Sequence, residues 1–82
     1  NSLYLRFEVK DKPGVLSKIT NRLAKFKISI KQLIQTPDKK NNKATIVIIT
    51  HKTNEQNSNR CLSIFKKDKN ILKSPKLIRL YN

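Results

Sequence analysis

Residues 9–19 read VKDKPGVLSKI, and the single glycine of the 82-residue chain, Gly14, stands in their middle directly behind Pro13. Upstream the apolar residues alternate: Leu3, Leu5, Phe7 and Val9 fall on one face and Tyr4, Arg6 and Glu8 on the other, the period of a half-buried strand over 2–9. Downstream, from Pro13, the apolar positions Val15, Leu16, Ile19, Leu23 and Phe26 recur every three or four residues, one stripe of a helix. The stretch is therefore a strand-to-helix connection. Asp11 is a candidate N-cap, and Pro13 suits the first turn because the amide it lacks has no helical partner there. Gly14 removes a side chain where the free N–H groups of a helix start point outward, and such groups attract carboxylates and phosphates. Two plainer roles stand beside that one: letting the helix pack close to a strand, or tolerating an unusual dihedral. The stretch matches neither the G-x-G-x-x-G nor the G-x-x-x-x-G-K-[ST] phosphate fingerprint.

The pattern continues outward in four more pieces. Residues 28–35, ISIKQLIQ, return to alternation through Ile28 and Ile30, and TPDKKNNK at 36–43 is a polar, turn-rich connection. ATIVIIT, 44–50, is apolar on both faces at Ile46, Val47, Ile48 and Ile49, as expected of a central strand. Thr53 with Gln56 has the spacing of a capping box, opening a more polar helix over 54–67 with Cys61, Leu62 and Phe65 inward. After Pro75, KLIRLY forms a last strand. The order βαββαβ predicts an α+β, ferredoxin-like domain: a four-stranded antiparallel sheet with two helices on one face, the first and third strands central. Because the helices cover one face only, either Val47 and Ile49 or Ile46 and Ile48 must face something else, which points to another subunit or a parent domain.

Length sets one small domain, burying about 60–65% of the surface its unfolded chain exposes. The sequence shows no apolar run long enough to span a membrane and no signal-peptide pattern, so a soluble, cytoplasmic domain is expected. The lone Cys61 precludes an internal disulfide, and with a single His51 there is no set of soft ligands for a metal. The strand pattern that begins at once at Asn1, without an initiator methionine, suggests a processed chain or a piece of a longer one. The formal net charge of +14 invites a nucleic-acid partner. However, Lys, Asn and Ile, which have A/T-rich codons, are plentiful while Gly is single, and the lysines are spread over every segment. An A/T-rich base composition is enough to generate that bias without an acidic partner, and a solvated basic surface is the expectation.

DKPGVLSKI on a strand-to-helix turn, in βαββαβ order, resembles the ACT domain, a small amino-acid-sensing module attached to metabolic enzymes. YLRFEVKDKPGVLSKITNRLAKFKISIKQLIQ, ATIVIITH and PKLIRLY together are similar to the C-terminal ACT region of bacterial homoserine dehydrogenases over nearly the whole chain. The ACT regions of serine-sensing phosphoglycerate dehydrogenase and of the acetohydroxyacid synthase small subunit are the alternatives. The resemblance implies that residues 1–82 are one regulatory domain of a longer enzyme, paired with a second copy through a sheet edge or helices. It further implies an amino-acid effector, threonine or a relative, at the loop of Asp11, Lys12, Pro13, Gly14, Val15 and Leu16, with Ser29 where serine-binding relatives carry asparagine. Val9 stands where those relatives carry histidine. The domain itself would hold no cofactor and no catalytic residue, and the parent would be an NAD(P)-dependent dehydrogenase of the aspartate and threonine pathway, feedback-controlled through the dimer.

Other residues carry weaker signals. His51 follows the third strand with neither an orienting carboxylate nor a nucleophile signalled, so it is read as the end of a strand rather than a base. Cys61, at helical spacing from Phe65, is read as a small core residue. Gln32 interrupts the apolar face of the second strand, consistent with an edge position. RNA binding shares the βαββαβ order, but that module needs aromatics and glycine on the third strand, and ATIVIIT has none. A purely structural dimerisation module with an empty loop is the remaining alternative.

Overall fold

A computed structural model describes residues 1–81. The elements follow the expected order: β1 (Ser2–Lys10), α1 (Val15–Lys25), β2 (Ile30–Asp38), β3 (Lys43–Thr50), α2 (Glu55–Phe65) and β4 (Lys76–Leu80). All neighbouring strands are antiparallel and the sheet order is β2-β3-β1-β4, so β1 and β3 are central and β2 and β4 are edges. This is the ferredoxin-like arrangement the period pattern predicts.

Alternation decides which residues meet the helices. Leu3, Leu5, Phe7 and Val9 of β1 and Ala44, Ile46 and Ile48 of β3 are buried with Val15, Ile19 and Leu23 of α1 and Cys61 and Phe65 of α2. Leu16, Phe26 and Leu62 pack at the margin of this core. Phe7 and Phe65 meet edge-on with ring centroids 5.0 Å apart, joining the sheet to α2 at its centre. The opposite sheet face therefore carries Val47 and Ile49, resolving which pair points away from the helices. Tyr4 lies between Ile49 and Ile78, and Ile34 lies beside Val47, so an apolar stripe crosses this open face. Ile34 and Ile78, at 51% and 46% exposure, are its outer members.

Several boundaries differ from the sequence expectation, each for a local reason. Helix α1 begins at Val15 rather than Pro13, and neither Asp11 nor any other side chain caps it. Residues 12–15 form a turn closed by the Val15 N–H to the Lys12 carbonyl at 3.3 Å. Gly14, at φ 88° and ψ −14°, holds the third place of that turn behind Pro13, and these are type II values, which require a positive φ there. Helix α2 runs over 55–65 and is capped by Asn54, not by a Thr53–Gln56 box. The Asn54 Oδ1 accepts from the Asn57 N–H at 2.8 Å, while the Thr53 N–H goes to the Asn1 carbonyl at 3.0 Å. Strand β2 is displaced to 30–38. Ile28 is buried but belongs to the end of α1, and pairing with β3 continues through Pro37 and Asp38. Pro37 is tolerated because β2 is an edge.

Lys27 ends α1 in the left-handed region, φ 59°. Its N–H donates to the Ala24 carbonyl at 2.9 Å and the Ile28 N–H to the Leu23 carbonyl at 2.9 Å, the two bonds of a Schellman closure. Glycine is the usual residue there and lysine bears Cβ strain. Lys27→Gly is therefore expected to raise the unfolding free energy by about 0.5–1 kcal/mol in urea denaturation, the relief of strain exceeding the extra freedom gained by the unfolded chain.

Cys61 is a free thiol in the core. Burial pushes its pKa up to about 11 from 9.0, the Arg22 charge opposing the rise. Between those values the unfolded chain has lost a proton that the folded chain retains, so stability falls as pH rises from 9 to 11 and is unaffected by this group below 9. The unfolding free energy measured relative to Cys61→Ala is expected to fall by on the order of 2 kcal/mol between pH 8 and pH 11.

Candidate functional site

The loop after β1 is pinned from both sides. The Lys10 N–H donates to the Asn70 carbonyl at 2.9 Å and the Asp11 N–H to the Asn42 carbonyl at 2.8 Å, while the Lys18 N–H closes the first turn of α1 on the Gly14 carbonyl at 3.0 Å. Among the described residues the Leu16 and Ser17 amides have no backbone acceptor, and no side chain caps the helix. A Cβ built on Gly14 would meet nothing within 4 Å. Of the three roles open to this glycine, close packing is thus excluded, the dihedral is required, and the space above the turn is free.

Asp11, Lys12, Pro13 and Gly14 are exposed along this loop, whereas the Val15 side chain is buried and Leu16 packs on the core, so these two offer a ligand chiefly backbone. Ser29 lies elsewhere. It precedes β2 at the end where Ile30 pairs with Thr50, and its carbonyl accepts from the His51 N–H at 2.9 Å. The loop sits at the other end of the sheet, beside Lys43, roughly 25–30 Å away along the strands. One protomer does not bring Ser29 to the loop.

Residues not anticipated from the sequence join it instead. Lys10, Asn41, Asn42, Lys43 and Leu72 line, with Asp11 and Lys12, a groove of about 450 Å³. Lys10 faces Lys43 directly across the β1–β3 ladder. The second strand's Asp38 is opposite Lys43, but its carboxylate accepts from the Asn41 Nδ2 at 2.9 Å. Counting the β2–β3 hairpin back from its polar turn places Lys43 near Asp38, whereas the β1–β3 register that sets it against Lys10 has no local signal. Leu72 carried no such signal, since it arrives through a contact of the 70–72 segment with β1, in which its N–H donates to the Glu8 carbonyl at 2.7 Å. Among the described residues no three His, Cys, Asp or Glu side chains cluster as metal ligands, and no helix is long and apolar enough to cross a membrane.

The ACT-domain family model matches residues 3–68, most of the chain, including the β1–loop–α1 unit from Leu3 onward. The chain belongs to the ACT-domain family. Its full-length relatives include homoserine dehydrogenases. That of Helicobacter pylori is 38% identical over 79 residues, covering 96% of this ACT domain and 19% of the relative, and that of Methylobacillus glycogenes is 43% identical over 58 residues, covering 70% and 14%. Among solved structures, a homoserine dehydrogenase from Thiobacillus denitrificans superposes with a TM-score of 0.86 at 31% identity, over 99% of this chain and 17% of that one. The ACT domain of the GTP pyrophosphokinase of Chlorobium tepidum, at 17% identity and a TM-score of 0.74 over 94% and 96%, shares the fold. The chain thus spans less than a fifth of the homoserine dehydrogenases it resembles.

Proposed function

We propose that this ACT domain is the amino-acid-sensing regulatory domain of a cytoplasmic homoserine dehydrogenase, and that it works as a pair. The catalytic part and its NAD(P) cofactor would lie outside residues 1–82, in keeping with the small share of each relative that the chain covers. The reading rests on one observation above all: at the end of a central strand, a Pro13–Gly14 turn opens a helix whose Leu16 and Ser17 amides have no backbone acceptor and no side-chain cap, with empty space at the Gly14 Cβ position and a cationic groove beside it. Regulation then follows from linkage, since an amino acid that binds one paired arrangement more tightly than another shifts the attached enzyme between states.

The β2 edge supports pairing. It is nine residues long and largely exposed, with Lys31 and Pro37 its only interruptions before Asp38, whereas the β4 edge has five residues and is held to α2 by Arg79 Nη2 and Glu55 Oε1 at 2.9 Å. A long open edge is a template for another strand. Two β2 strands paired antiparallel in full register place Ile34 opposite its own copy and bring the partner's Ser29 next to Lys39, at the start of the turn whose Asn42 carbonyl holds Asp11. The two halves of the effector set separated in one protomer thereby approach each other in two.

Calorimetry with threonine and related amino acids tests the reading. Binding with a dissociation constant near millimolar, roughly 4 kcal/mol, is expected. Gly14→Val should weaken it at least tenfold, and Gly14→Asn, which tolerates a left-handed φ, separates loss of the open space from loss of fold. Sedimentation should show a dimer that Ile34→Lys, by opposing two like charges, converts to monomer. A dimer that binds no amino acid would leave only a structural role.

A further inference from the structure

Lys10 and Lys43 occupy directly opposed positions on β1 and β3, an arrangement that costs stability when both are charged. Lys12 lines the same groove, so three ammonium groups meet a single carboxylate of the lining, that of Asp11. Among the described residues the ion pairs are Arg6–Glu8, Lys18–Asp68, Arg22–Asp68 and Arg79–Glu55, and none reaches these lysines. Asp38, opposite Lys43 on β2, keeps its negative charge while accepting from the neutral Asn41 amide, so it offsets part of the lysine charge from beside the lining. The lining of about 450 Å³, within the size range of small-molecule sites, thus sets three ammonium groups against Asp11, and with Asp38 beside Lys43 one positive charge remains in surplus.

A neutral amino acid does not match this balance. Its ammonium suits Asp11 and its carboxylate one lysine, so it brings no net charge and leaves the surplus cation uncompensated. We propose that the groove takes an amino acid bearing a second anionic group, a side-chain carboxylate or a phosphate ester, in preference to a neutral one. The α-ammonium lies toward Asp11, the two anionic groups are shared among Lys10, Lys12 and Lys43, and the intervening methylene rests on Leu72. Binding relieves the cross-strand repulsion, which makes the second anion the main source of selectivity. The proposal rests on the effector reading above and names the class of molecule that reading would take.

Calorimetry on the 82-residue chain with L-threonine, L-aspartate, O-phospho-L-serine and inorganic phosphate, at low and at physiological salt, tests it. L-aspartate and O-phospho-L-serine should bind at least tenfold more tightly than L-threonine, with the margin narrowing as salt screens the exposed lysines. The double variant Lys10→Gln/Lys43→Gln, which removes a repulsion and should melt no lower than the parent, should erase that margin. Equal affinity for threonine would overturn the proposal and leave the effector reading standing. Inorganic phosphate binding as tightly as O-phospho-L-serine would also overturn it, the groove then recognising an anion but no amino acid. Absence of binding by all four would remove the effector reading and this proposal together.

Discussion

Phe65→Ala is expected to leave the chain unfolded, or nearly so, at 25 °C. Phe65 is fully buried, meets Phe7 edge-on, and has the Arg22 guanidinium 5.9 Å from its ring centroid. Truncating a buried phenylalanine costs about 3–5 kcal/mol, and a domain of this size has on the order of 5 kcal/mol in total. The position leaves little room for collapse, since Phe7 comes from the central strand and cannot follow a helix inward without disturbing two ladders. Near-UV circular dichroism and proton chemical-shift dispersion would report the loss. Phe65→Leu, which retains most of the volume, should remain folded and lose roughly 1–2 kcal/mol. A cooperative alanine variant within 1 kcal/mol of the parent would mean that α2 contributes far less to this core than its burial implies.

Asp68→Ala should have the second-largest effect. The carboxylate is 5% exposed, accepts from Arg22 Nη1 at 3.1 Å and from the Asn70 N–H at 2.9 Å, and has Lys18 Nζ at 3.9 Å. It fastens the segment after α2 to α1. Removing it strands a half-buried guanidinium and frees a backbone donor, for a loss of roughly 2–4 kcal/mol. Urea denaturation reads this directly, and Asp68→Asn, which keeps an acceptor for Asn70 but no charge, should fall between. In a double-mutant cycle with Arg22→Met the coupling should exceed 1 kcal/mol. An additive result would assign the effect to the Asn70 turn alone.

How much of this was legible in the sequence differs by element. β1 was readable because strict alternation of Leu3, Leu5, Phe7 and Val9 has one interpretation, and the change of period at Pro13 fixes where the strand gives way to the helix. β3 showed itself as central but not which of its faces turned inward, because both are apolar and only pairing with β1 decides. The end of α1 was hidden for the opposite reason. The sequence has one glycine, used at a type II turn, so the left-handed closure at Lys27 carries no glycine to announce it. Ile28 then looked like the start of a strand when it is the apolar residue that seals a helix. In the candidate site, the loop residues follow from a local pattern, but the groove depends on Lys43 and Leu72, which reach Lys10 and Asp11 only through strand register and a segment about sixty residues further along the chain.

The strand that ends in the loop is clamped along its whole length. β1 pairs with β3 over residues 4–10 and with β4 over residues 2–6, and at its start the Leu3 N–H donates to the Thr50 hydroxyl at 3.0 Å, which itself donates to the His51 carbonyl at 2.8 Å. A nine-residue strand held in this way is a beam of roughly 30 Å that neither shortens nor buckles. Under the proposed effector reading, such a strut would carry a displacement of its loop end as tilt toward the opposite pole, where the turns leading into α2 sit.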